Sequence, residues 1–172
     1  DALYNILGEI YPGDVTRYHS RIKPERRKKQ LLFDFLQGKR KIMIATFAFS
    51  MGIDVPDIEL VVHFNAPINM TDYIQQIGRA GRDGRKAHCV LFYDQNGDDD
   101  AISNSFIKKA KKQSPKAAKI IKAIIKAKLS QVHDFIHSNN CMVCDILEYQ
   151  GQHEVKTCKR CTICAQKRRN SK

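Results

Sequence analysis

Two groups of residues in this 172-residue chain have types and spacings suited to chemistry. The first is Asp72-Tyr73-Ile74-Gln75-Gln76-Ile77-Gly78-Arg79-Ala80-Gly81-Arg82-Asp83-Gly84-Arg85, where Arg79 and Arg82 stand three residues apart among three glycines. A planar guanidinium can bind two oxygens at once, so a pair presented together suits a phosphate chain. The plainer reading is a helix C-terminus whose dipole the arginines complement. The second group is Cys158-Lys159-Arg160-Cys161-Thr162-Ile163-Cys164, three thiols in one tight turn. Such a knuckle offers several sulfurs to one tetrahedral ion, each at ~2.3 Å. Cys141, Cys144 and His153 stand upstream as candidates for a fourth ligand, and spacing alone does not choose among them.

The arginines need a helix that ends in the right place. Thr71 or Asn69 can cap it, Asp72 favours its first turn, and Gly78 frees the backbone beyond it. Arg79 and Arg82 then leave the helix end on one side, about one turn apart. Short apolar runs at 42–45, 61–64 and 89–92 read as strands buried on both faces, with Cys89 a core residue, and 15–18 reads as a fourth. Helices alternate with them. Leu3, Ile6, Leu7 and Ile10 share one helical face, and Leu31, Leu32, Phe35 and Leu36 another, in a helix opened by Pro24 and stopped by Gly38. Arg26, Arg27, Lys28 and Lys29 lie at the unfavourable end of that helix's dipole, so they face solvent or meet an anion. The alternation implies parallel βαβ units, an α/β fold whose ligands gather at the carboxyl ends of strands. Thr46 and the loop to Asp54 sit at one such end, and His19-Ser20-Arg21 at another.

Residues 96–100 read as a turn, followed by a helix to about Lys112. Ser114 and Pro115 open the next helix. Ile120, Ile121, Ile124, Ile125, Leu129, Val132 and Ile136 recur on it at helical spacing, as a core face. The net charge is +12, and all of the excess lies in residues 101–172, which carry 16 Lys/Arg against 4 Asp/Glu. A basic region beside a neutral domain points to a polyanion, most often nucleic acid. A solvated lysine-rich helix is the alternative. No run of residues is long and apolar enough to cross a membrane as a helix, and no membrane partner is expected. We expect an intracellular chain, nuclear in a eukaryote and cytoplasmic otherwise. There a cysteine cluster reads as a metal site before it reads as disulfides.

The segments 45–57 (ATFAFSMGIDVPD), 61–64 (VVHF), 73–85 (YIQQIGRAGRDGR) and 91–94 (LFYD) follow in one order and at one spacing. In that order and spacing the chain resembles motifs V and VI of superfamily 2 helicases, in the form used by the RecQ family of DNA helicases, over nearly its whole length. The resemblance implies a second RecA-like lobe at residues 1–97, incomplete at its N-terminus. It implies a small helical zinc-binding subdomain at 98–164, and 165–172 reads as a basic disordered tail. An ATP-dependent 3′→5′ helicase acting in DNA repair and recombination is implied. Arg82 would be the finger on the γ-phosphate, with Arg79 beside it. Gly52, Asp54 and Gln75 would shape the nucleotide edge. ATP and magnesium would be held jointly with a first lobe, and Thr46, His19 and Arg21 would contact DNA, single-stranded or at a duplex junction. Family proteins carry a Cys, a Tyr eight residues on, then Cys-x-x-Cys-x-x-Cys. By that register Cys141 joins Cys158, Cys161 and Cys164 around a structural zinc, and Cys144 is a spare.

Some positions depart from the family pattern. Met142 and Val143 replace an arginine pair, Gln150 and Gln152 replace Phe and Glu, Ser50 stands for Gly and Val55 for Lys. The chain has no G-x-x-x-x-G-K-[ST] loop and no Asp-Glu metal-binding box, so alone it is expected not to hydrolyse ATP. Two rival readings follow. One is a non-catalytic, zinc-containing nucleic-acid-binding module from a truncated or degenerate helicase gene. The other is an RNA helicase lobe of the same superfamily, against which the cysteine knuckle stands.

Overall fold

The structure, a computed structural model, describes residues 2–46, 49, 55, 58–94, 108, 114–154 and 156–171. They fall into two compact units: residues 1–59 with 79–86, and residues 60–78 with 87–172. The turn expected at 96–100 and most of the helix expected to follow it lie outside the described residues.

In the first unit the order is α1 (Ala2–Ile10), β1 (Val15–Tyr18), α2 (Glu25–Leu36) and β2 (Ile42–Ala45). β1 and β2 pair in parallel, from Val15 opposite Ile42 to Tyr18 opposite Ala45. Val15, Thr16, Ile22 and Val55 are buried. α2 follows Pro24, whose φ of −71° sets the chain for a helix, and Glu25 occupies the favourable first turn. At the other end Gly38 takes φ +68°. There Gly38 N–H donates to Phe35 O at 3.0 Å and Lys39 N–H to Asp34 O at 2.9 Å, the paired bonds of a left-handed helix stop. Of the cations on the first turns, Lys28 finds partners of both kinds. Its Nζ lies 3.4 Å from Glu25 and 4.9 Å from the Tyr18 ring centroid.

The second unit holds β3 (Leu60–His63), α3 (Met70–Ile77), β4 (His88–Leu91), α4 (Pro115–Ile136), α5 (Met142–Tyr149) and α6 (Thr162–Asn170). β3 and β4 pair in parallel, each one residue earlier than the apolar runs imply. The core is Met70, Tyr73, Val132 and Phe135, with Ile77, Leu91, Ile136, Met142 and Ile146 packed against it. One hydrophobic cluster therefore joins α3, α4 and α5.

Three expectations are corrected here. The strands are not buried on both faces: Leu60, Val62, Val90 and Cys89 are exposed. Among the described residues each belongs to a two-stranded sheet, and a pair of strands has too little area to be covered like the centre of a wide sheet. Ile120 and Ile124 are exposed too. The buried cluster of Tyr73 and Phe135 takes in α4 from Val132, ~12 Å or more along the helix from Ile124, and Ala118 is buried outside that cluster. Residues 165–170 are helical rather than disordered. Ala, Gln, Lys and Arg are good helix formers, and Lys167, Arg168 and Arg169 complement the dipole in the last turn.

Candidate functional site

The carboxyl edge of β1 and β2 gathers the three residues that the resemblance assigns to DNA. Thr46 N–H donates to Tyr18 O at 3.1 Å, which ties the end of β2 to the end of β1. His19 follows Tyr18 directly, and Arg21 N–H donates to its Nδ1 at 3.3 Å. Burial, with the charges of Arg17 and Arg21, pushes the His19 pKa down, so the ring is neutral at pH 7. Thr46 and Arg21 are exposed. The edge thus offers a hydroxyl, a neutral imidazole and a guanidinium, groups that bind a sugar-phosphate backbone.

Beside them sits an aromatic cluster that the sequence reading did not include. Phe49 lies edge-on to Tyr18 at 5.8 Å and to Phe35 at 6.1 Å. The Arg79 guanidinium carbon is 6.0 Å from the Phe49 ring centroid, so Arg79 is half-buried on an aromatic face. Arg82 is exposed. The turn that carries both is fixed by Gly81, whose N–H donates to Ile58 O at 2.9 Å and whose φ is +66°, and by Gly84 at φ +81°. Arg85 closes it with a 2.6 Å bond from Nε to Asp83 and a 3.7 Å ion pair to Glu59. The N–H and guanidinium of Arg85 hold the Asp83 carboxyl below its usual range. Gly78, expected to free the backbone, instead keeps φ −65° and ends α3. The left-handed freedom is used three and six residues later. Gly52 and Asp54 lie outside the described residues.

α3, which leads to this turn, is set by its cap. Asn69 is the capping residue: its Oδ1 accepts from Asp72 N–H at 2.8 Å and its Nδ2 donates to Asp72 Oδ2 at 2.7 Å. Thr71 has another partner, the Tyr149 hydroxyl at the end of α5, 3.1 Å from its Oγ1. Gln75 is exposed, whereas Gln76 bonds through Oε1 to His63 Nε2 at 2.8 Å. Burial pushes the His63 pKa down against the Gln76 bond, and the neutral ring tilts on Tyr73 at 5.0 Å. Tyr73 packs in turn on Phe135 at 5.3 Å, and burial drives its hydroxyl up to about 12. His63 and Gln76 were legible as motif letters, but no sequence spacing pairs residues thirteen apart.

The thiols of Cys141, Cys158, Cys161 and Cys164 lie within 4.8 Å of one another. A tetrahedron with ~2.3 Å metal–sulfur bonds has edges of ~3.8 Å. The Cys158–Cys164 and Cys161–Cys141 separations are 4.0 and 3.9 Å. Backbone geometry builds the knuckle. Lys159 takes φ +58°, and Arg160 and Cys161 N–H then donate to Cys158 Sγ at 3.4 and 3.2 Å. Cys158 N–H donates to Cys141 Sγ at 3.2 Å. Burial alone would push the Cys141 thiol up, but N–H and S–H groups of Cys144 and Cys158 bring it down to about 6. Burial and crowding by neighbouring sulfur push Cys158 and Cys144 up to about 11. The Thr157 hydroxyl holds the Cys164 thiol down as well, so two of the four form thiolates readily and oppose the others, a conflict that a divalent cation removes. Cys144 stands outside the four, and His153 is not among them. Four sulfurs fill a tetrahedral ion, so the donor set fits a structural metal.

Residues 3–84 match the family described as helicase conserved C-terminal domain. A putative ATP-dependent RNA helicase R290 of Acanthamoeba polyphaga mimivirus is 36% identical over 147 residues, 86% of this chain and 25% of that protein. The ATP-dependent DNA helicase RecQ of Bacillus subtilis (strain 168) is 35% identical over 152 residues, 88% of this chain and 24% of that protein. The chain therefore spans about a quarter of the length of these relatives. The crystal structure of the yeast DEAD-box splicing factor Prp28 matches with a TM-score of 0.50 and 28% identity, over 72% of this chain and 28% of that one. Motif order, cysteine cluster and sequence kinship agree: the chain carries a helicase conserved C-terminal domain and is similar to the C-terminal helicase region of RecQ-family superfamily 2 helicases.

Proposed function

We propose that this chain is the second RecA-like lobe and zinc-binding subdomain of an ATP-dependent 3′→5′ DNA helicase. The lobe spans residues 1–97 and the subdomain 98–164, with α6 extending the subdomain. ATP and magnesium are held by a first lobe, since this chain has no phosphate loop. Arg82 reaches the γ-phosphate across the cleft and stabilises the charge that develops there during hydrolysis. Arg79, packed on Phe49, supports it. Gly52, Asp54 and Gln75 shape the nucleotide edge. Thr46, His19 and Arg21 hold the DNA backbone, and opening and closing of the cleft moves the strand. Cys141, Cys158, Cys161 and Cys164 hold a zinc ion that stabilises the subdomain and takes no part in the chemistry.

The observation that carries this reading is the four-thiol cluster, whose Cys141 opens α5, a helix packed through Met142 and Ile146 on the same core as the motif VI helix α3. It favours a DNA helicase of the RecQ type over an RNA helicase lobe, although one relative and the Prp28 structure carry RNA-related names. The test is unwinding by a two-lobed protein that includes this chain, on duplexes with a 3′ or a 5′ single-stranded tail. ATP-dependent unwinding from the 3′ tail alone is expected. DNA binding with no ATP hydrolysis would support the non-catalytic module instead.

A further inference from the structure

α4 carries a row of exposed cations and rings outside the groups described so far. At about 100° per residue, Lys119, Lys122, Lys126 and His133, with His137 just past the helix end and still bonded through its N–H to His133 O at 3.0 Å, fall within an arc of about 60° on one side. All five are exposed. The row is ~27 Å long. At its C-terminal end the His133 and His137 rings lie 4.2 Å apart, and Tyr93 meets both, at 5.5 Å from His137 and 6.5 Å from His133. Tyr93 stands two residues past β4, at the carboxyl end of a parallel strand, where ligands collect in such folds.

Lysines alone attract any polyanion. The ring triad is what narrows the partner, because a base stacks on an aromatic face only when it is free of its duplex. A metal is the weaker reading. The imidazoles number two, and among the described residues the only group of three or more potential ligands is the cysteine cluster. We infer that α4 is a single-strand track: Lys119, Lys122 and Lys126 follow phosphates, and the Tyr93–His137–His133 rings receive an unpaired base. This deepens the nucleic-acid reading above and uses none of the residues assigned to DNA there.

The test is fluorescence anisotropy of the 172-residue chain with a labelled 15-mer of dT and with an abasic 15-mer of equal phosphate count. The parent should prefer dT. Replacing His133 and His137 by Ala should weaken dT binding about 5- to 100-fold and leave the abasic strand within about twofold, as expected for a lost stacking platform. Phe at both positions should restore dT binding. Gln at the three lysines should weaken both strands and flatten the salt dependence by about 2 logarithmic units per decade. Unchanged zinc content and circular dichroism show that the variants fold. Equal binding of dT by the parent and the alanine variant, or no preference of the parent for dT over the abasic strand, overturns the track. Neither result touches the helicase reading, which stands or falls on ATP-driven unwinding.

Discussion

The cysteine cluster and the arginine turn are built on opposite principles. The cluster is complete within 24 residues: four sulfurs, backbone N–H groups turned toward them, and a left-handed Lys159 that makes the turn. Everything such a site needs, apart from the ion, is in the chain. The arginine turn holds Arg79 on Phe49 and leaves Arg82 exposed, on a chain that lacks any phosphate loop. A structural metal site gains from closure, because its energy is folding energy. A group that stabilises a transition state, the role proposed for Arg82, gains from lying where another lobe can present the charge. The difference gives each region its own way to fail.

The largest effect is expected at the cluster. Cys158→Ser or Cys161→Ser should abolish zinc binding and unfold residues 141–171, since structural zinc contributes apparent energies of about 10–16 kcal/mol in small domains. Cys144→Ser should keep the metal. Metal analysis together with hydrogen exchange reads both, and equal zinc loss from the Cys144 variant would break the ligand assignment.

Next comes the core that joins the cluster's helices to α3. Phe135 is 6% exposed and packs on Tyr73. Phe135→Ala should cost about 3–5 kcal/mol in denaturant unfolding. A loss below about 1 kcal/mol would mean that α3 and α4 do not share a cooperative core. A smaller step tests the contact at the far end of α5. Tyr149→Phe removes the hydroxyl bonded to Thr71, and a net loss of about 0.5–1.5 kcal/mol with full zinc content is expected. Faster amide exchange in the first turn of α3 would localise the effect.

The smallest effect is a pH dependence. The folded His63 pKa lies below its ordinary value of 6.5. As pH falls below about 6.5 the unfolded chain takes up a proton that the folded ring refuses, so stability should decline from there toward the folded pKa. His63→Gln should flatten that part of the profile. A stability that rises on acidification through this window, and does so only with His63 present, would contradict a buried neutral ring.

Much of this was legible in the residues. The Asn69 cap, the Asp72 first turn and the Gly38 stop follow from local chemistry, and the structure shows each. The grouping of Cys141 with Cys158, Cys161 and Cys164 was readable only through family register, because spacing left Cys144 and His153 open. The Phe49 platform under Arg79, the Gln76–His63 bond and the Thr71–Tyr149 bond join residues 13 to 78 positions apart, and no periodicity encodes them. Strand burial is not legible in the residues, because an apolar run reports a preference for burial and not the cover available. The same limit exposed Ile120 and Ile124, whose spacing matches the core face although the buried cluster with Val132 and Phe135 lies two turns or more further along.

The central claim is that Arg82 acts on a nucleotide held by another lobe. The direct measurement is single-turnover ATP hydrolysis, with nucleotide affinity measured alongside, in a two-lobed protein carrying Arg82→Ala. Affinity should stay within a few-fold of the parent while hydrolysis falls by about 10³-fold or more, and Arg82→Lys should rescue little because a point charge lacks the fork. Arg79→Ala should also slow hydrolysis, and DNA binding should survive both changes. Hydrolysis by the Arg82→Ala protein at the parent rate would contradict the account and leave this turn as the end of a helix and nothing more.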